Sequence, residues 1–97
     1  MTQKGIIDFT DCTTYKDMFE RVRIAMDLPE GYGGNLHAVW DCFFGITAVN
    51  DFVIKGKSKA APILHPYIDE IIAVFQKFKV YCEKRESTWQ FNYTVID

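Results

Sequence analysis

From residue 66 to residue 84 the chain carries Ile68, Ile71, Ile72, Phe75 and Phe78 at intervals of three and four, with Tyr81 and Cys82 in the next turn. That spacing puts bulky side chains on one face of a long α-helix. Pro66, with its fixed φ, suits the first turn of that helix. A stripe this wide needs an apolar surface to lie on. The flanking segments supply one: Asp51–Ile54 before the helix and Trp89–Ile96 after it are β-type runs, the second rich in β-formers.

The amino-terminal half repeats the pattern. Ile6–Phe9 is a short strand run after Gly5, followed by a turn at Asp11–Thr14. Thr14 opens a helix with Asp17 three residues on, a capping-box-like spacing. Tyr15, Met18, Phe19, Val22 and Ala25 give that helix one apolar face, and Leu28-Pro29 ends it, because the residue before proline avoids the α region. A glycine-rich loop, Glu30–Asn35, leads to a second helix that begins near Gly34 or Asn35 and stops at Gly45 as C′ glycine. Leu36, Val39, Trp40 and Phe43 carry its periodicity. His37, Asp41 and Phe44 share a different, solvent-side face. Lys55–Lys59 reads as a mobile basic loop, and Pro62 and Pro66 bracket Ile63–His65.

The order β, α, α, β, α, β favours an α/β chain with a small, mostly parallel sheet and helices packed against it. All 97 residues fit one domain, and 48% apolar with 15% aromatic content gives enough bulk for a core. Cys12, Cys42 and Cys82 are odd in number and widely spaced, which suits reduced thiols packed as small hydrophobes in a cytoplasmic protein better than a disulfide framework or a zinc site. No basic region followed by an apolar run resembles a secretory signal, and no apolar stretch approaches the roughly 18–20 residues of a membrane span.

Charge is unevenly distributed. Net charge is only −2, yet Ile24–Ile54 contains no Lys or Arg while holding Asp27, Glu30, Asp41 and Asp51. An acidic segment that also carries Trp40 and Phe44 suits docking onto a basic protein partner, although a solvated helix face has the same signature. Direct nucleic-acid binding is disfavoured, because such a patch repels phosphate; Lys55–Lys59 alone points the other way. The Gly31–Gly34 loop lacks the lysine of a phosphate loop and follows a helix and Pro29, so its glycines are read as a tight turn open to close approach by a partner.

An enzyme is disfavoured. His37 and Cys42, five residues apart on a helix, point about 140° away from each other, so they do not converge as nucleophile and base. His37 with Asp41 makes a surface i, i+4 pair, and His65 beside Pro66 is a loop or cap residue. No metal-ligand constellation or cofactor motif emerges. Trp40 has two open readings, burial against the sheet or use as a contact anchor.

The stretch Leu28-Pro29, the Tyr32/Gly loop, Asn35-Leu36 and Trp40-Asp41 resembles the signature of the barstar family. The element order and length of the rest of the chain agree with that family, and the resemblance implies an α/β fold with a small three-stranded parallel sheet flanked by three to four helices. The resemblance implies a cytoplasmic inhibitor, or immunity protein, that occludes the basic groove of a cognate ribonuclease toxin as a monomer in a one-to-one complex. It implies that Asp41 acts as the principal phosphate mimic, with Trp40, Asn35, Gly31, Phe44, Gly45 and Ile46 around it. Three positions depart from the family pattern: His37 stands where an acid is usual, Lys77 aligns with an acid on the third helix, and Gly31 replaces a common aromatic. These departures point to a partner with a reshaped groove, and they keep open the alternative of a barstar-like module whose partner is not a nuclease. His37 is read either as a contact with that partner or as a solvated substitution.

Overall fold

The computed structural model describes residues 4–29, 34–44, 49–85 and 90–97. Three strands, β1 (Lys4–Asp8), β2 (Asp51–Lys55) and β3 (Asn92–Val95), form one parallel sheet in the order β1-β2-β3. Helices α1 (Tyr15–Met26) and α2 (Leu36–Cys42) lie between β1 and β2 in the chain. Helix α3 (His65–Lys84) lies between β2 and β3. The expected α/β architecture with a three-stranded parallel sheet is therefore present, with three α-helices among the described residues.

In α3 the predicted stripe is the core: Ile68, Ile71, Phe75 and Phe78 are buried with Cys82, while Ile72 and Tyr81 are half-buried. They meet Phe52 of β2 and Phe91 just before β3, with Phe52–Phe75 ring centroids 5.0 Å apart and Phe78–Phe91 4.9 Å apart. The first helix starts as expected: Thr14 Oγ1 accepts from the Asp17 amide at 3.1 Å. The Asp17 carboxylate turns to Arg21 at 3.0 Å. Arg21 in turn donates to the Asp8 and Thr10 carbonyls at 2.8 and 2.6 Å, tying α1 to the end of β1. Gly5 lets α1 approach β1, since a Cβ there would sit 2.4 Å from the Ala25 carbonyl oxygen.

Several boundaries differ from the sequence expectation. α1 stops at Met26 because Asp27 adopts a left-handed conformation (φ 55°), so that the Asp27 and Leu28 amides close onto the Ile24 and Arg23 carbonyls. α2 ends at Cys42, and the expected terminator Gly45 lies outside the described residues. Of the expected strand Trp89–Ile96, Trp89 lies outside the described residues and β3 begins at Asn92; the Ile96 amide still donates to the Ile54 carbonyl at 2.9 Å.

The basic loop is ordered by specific bonds. Gly56 (φ 83°) turns the chain into a 3₁₀ turn, Lys57–Lys59. Lys57 bridges Asp69 at 2.6 Å, and the Ser58 amide and hydroxyl both donate to the Asp97 carboxylate. A second 3₁₀ turn, Pro62–Leu64, runs straight into α3, and His65 opens the helix with Nε2 3.2 Å from the Ala60 carbonyl. All three cysteines are free and buried.

Candidate protein-binding face on α2 and α3

Helix α2 is seven residues long, too short to persist in water by itself. Two things hold it. Asn35, in extended conformation, caps the first turn, its Oδ1 accepting from the Ala38 amide at 2.9 Å. Val39, Cys42 and Phe43 point inward and are buried. Phe43 stacks on Phe78 of α3 with centroids 4.4 Å apart and planes 9° from parallel, and meets Phe75 and Phe91 edge-on.

The opposite side of α2 faces solvent. His37, Asp41 and Phe44 are exposed together, as their i, i+4, i+7 spacing requires. The Asp41 carboxyl is 68% exposed, and the His37 ring, itself 87% exposed, has Nδ1 3.9 Å from it. The carboxyl is thus directed outward rather than tied into the core. Cys42, adjacent in sequence, is buried; burial pushes its thiol pKa up, and nearby Asp41 adds to the rise. The His37 ring and the Cys42 thiol lie on opposite sides of the helix and do not form a nucleophile–base pair.

Trp40 sits at the seam and combines both of its open readings. It is half-buried. Its ring lies edge-on to Phe44 at 5.1 Å, Phe78 at 5.9 Å and Tyr81 at 6.1 Å, while the Lys77 ammonium rests over its face at 4.8 Å. Phe44 and Tyr81 are also in contact, with centroids 5.2 Å apart. The result is an aromatic shelf of Trp40, Phe44 and Tyr81 bridging α2 and α3. Beside it a shallow pocket of about 200 Å³ is lined by Leu36, His37, Trp40, Val74 and Lys77.

The structure therefore brings Trp40, Asp41, His37, Phe44 and Lys77 to one face, with Asn35 capping the helix that presents them. Gly31, Gly45 and Ile46 lie outside the described residues. The acids of the segment fall on different elements: Asp27 caps α1, Asp41 is on α2 and Asp51 begins β2, while Glu30 lies outside the described residues. Sequence reasoning also missed Tyr81 as part of the shelf and Arg85, whose guanidinium lies 5.2 Å over the Tyr81 ring. The available signal was the spacing Lys77, Tyr81, Arg85, at i, i+4 and i+8 along α3 and its cap.

Among the described residues no helix is long and apolar enough to cross a membrane, and no cluster of three or more His, Cys, Asp or Glu side chains could hold a metal ion.

Comparison with known proteins agrees with this architecture. The family described as Barstar (barnase inhibitor) matches residues 3–94. A Bacillus subtilis (strain 168) protein named "Putative ribonuclease inhibitor YrdF" is 30% identical over 76 residues, covering 77% of this chain and 84% of that protein. With a parallel sheet of three strands, helices in the expected order and a match that runs almost from end to end, the chain belongs to the barstar family.

Proposed function

We propose that the protein is a ribonuclease inhibitor that binds its target through the exposed face of α2 and the adjoining edge of α3. The observation that carries this reading is the Asp41 carboxyl, held outward on a capped helix beside an aromatic shelf. A ribonuclease concentrates positive charge to hold RNA phosphate, so a carboxylate fixed on a rigid element can occupy a phosphate position. Charge-assisted hydrogen bonds, bidentate when the donor is arginine, give such a contact strength and direction. Trp40 and Phe44 supply apolar area around it, as aromatic anchors do in protein interfaces. In this reading the inhibitor is an immunity protein that protects the cytoplasm of its producer from a cognate toxin in a one-to-one complex.

The test is protection of RNA from the cognate ribonuclease. Replacing Asp41 by Ala removes at least one charge-assisted bond, about 1.5–3 kcal/mol, or roughly 10- to 150-fold in Kd. Most of that loss falls on the dissociation rate. Undiminished inhibition by Asp41→Ala would refute the role given to this carboxyl.

A second reading, a barstar-family module whose partner is not a nuclease, is favoured by His37 and Lys77, which put imidazole and ammonium groups where the resemblance implies acids. Affinity purification with the intact chain separates the two: a partner without RNA-degrading activity, bound through α2, supports the second.

A further inference from the structure

The face just described is not uniformly acidic. Asp41 stands on its α2 side, but the α3 side carries two exposed cations, Lys77 over Trp40 and Arg85 over Tyr81. Neither cation has a carboxylate within ion-pair distance among the described residues; the ion pairs there involve Arg21, Arg23, His37 and Lys57. Both are laid against rings of the same aromatic shelf, so a partner that covers the shelf covers them.

From this we infer that the surface is bipolar, and that Lys77 is a specificity-determining residue selecting a protein partner that places a carboxylate opposite it, beside the cationic site that receives Asp41. The inference rests on the ribonuclease reading and names the electrostatic pattern of the partner.

The physical reason is the cost of covering a charge. An ammonium buried against a cationic groove loses its water and meets like charge, and the face of an indole replaces only part of that loss. A carboxylate on the partner turns the same burial into a charge-assisted bond. Attraction to an acidic rim and repulsion from a wholly cationic groove both act in the difference between partners, which is how specificity arises. The long stem of Lys77 already lines the pocket with Leu36, Trp40 and Val74, so the ammonium is carried on a packed arm.

The test uses barnase, the ribonuclease named in the family description, as a probe with a phosphate-binding groove, and measures the inhibition constant of the intact chain and its variants. Lys77→Glu is expected to strengthen inhibition of barnase by about tenfold or more, with Lys77→Gln in between and Asp41→Ala weaker than the parent; the gain from Lys77→Glu shrinks as salt rises. Lys77 is exposed, so melting temperatures close to the parent's show that the fold is intact. If Asp41→Ala weakens inhibition but Lys77→Glu leaves it unchanged or worse, the selective role of Lys77 is overturned and the ribonuclease reading stands. If no member of the set inhibits barnase, Lys77 is not what excludes such a groove and the inference falls, while the ribonuclease reading is still decided by the cognate nuclease; if the parent inhibits and Asp41→Ala has no effect, the ribonuclease reading of this face falls and the inference falls with it.

Discussion

Asn35 offers a way to separate building the site from touching the partner. Its side chain caps α2, a helix of seven residues whose order depends on that cap and on the buried Val39, Cys42 and Phe43. Asn35→Ala removes the acceptor 2.9 Å from the Ala38 amide and returns that amide to water. Loss of an N-cap costs about 1 kcal/mol, which lowers the melting temperature of a domain this size by roughly 4–8 °C. If the cost is spent loosening α2, inhibition weakens by no more than about fivefold, the equivalent of that energy. Asn35→Asp keeps the acceptor and puts an anion at the helix N-terminus, so it is expected to retain both stability and inhibition. Thermal melts followed by far-ultraviolet circular dichroism, paired with the RNA-protection assay, read the two quantities on the same samples. If Asn35→Asp melts as low as Asn35→Ala, the capping account is refuted. A loss of inhibition far beyond fivefold at unchanged melting temperature would mean that Asn35 touches the partner directly.

Phe78 of α3 is buried against α2 and the residues after it, touching Trp40, Phe43 and Phe44, so Phe78→Ala is expected to cost about 3–5 kcal/mol, read as a lowered urea midpoint at unchanged slope. Acid should destabilise the fold below about pH 4: the Thr10 side chain and amide hold the Asp8 carboxyl below its ordinary range, and Ser58 does the same for Asp97. A depressed carboxyl stabilises the native state above its unfolded pKa, and that stability is lost as pH falls through the folded pKa. Asp8→Asn should flatten the fall in stability as pH drops below the ordinary carboxylate range; an unchanged slope would refute the assignment.

Where the sequence was informative, local chemistry decided the structure. The stripe from Ile68 to Phe78 is buried because three-and-four spacing leaves it no other side of α3, and Thr14 caps α1 because its hydroxyl can reach the Asp17 amide three residues on. The outward grouping of His37, Asp41 and Phe44 follows from the same helical geometry. The misreadings concern partners far away in the chain. Lys55–Lys59 reads as a basic loop without partners until Asp69, 12 residues after Lys57, and Asp97, 39 residues after Ser58, are brought against it. Asp27 ends α1 by adopting a positive φ that asparagine and aspartate tolerate and that no local pattern announced.

The charge of the face cannot be read from the run of acids alone. A run of acids between two strands gives an acidic surface only if it folds onto one face; here Asp27 caps α1, Asp41 is on α2 and Asp51 begins β2, while α3 lays Lys77 over Trp40 and its cap lays Arg85 over Tyr81. The stacking of Phe43 on Phe78 fixes this meeting, because it sets which edge of α3 lies beside α2. Once that edge is set, Lys77 and Tyr81 are outer positions between core residues Phe75, Phe78 and Cys82. Residue 77 can then change from an acid to a lysine without disturbing the core, since its side chain is exposed and the stripe beneath it is intact. Divergence in partner charge thus requires no change in fold, which is how a chain can keep the family's architecture while presenting two cations beside its outward carboxylate.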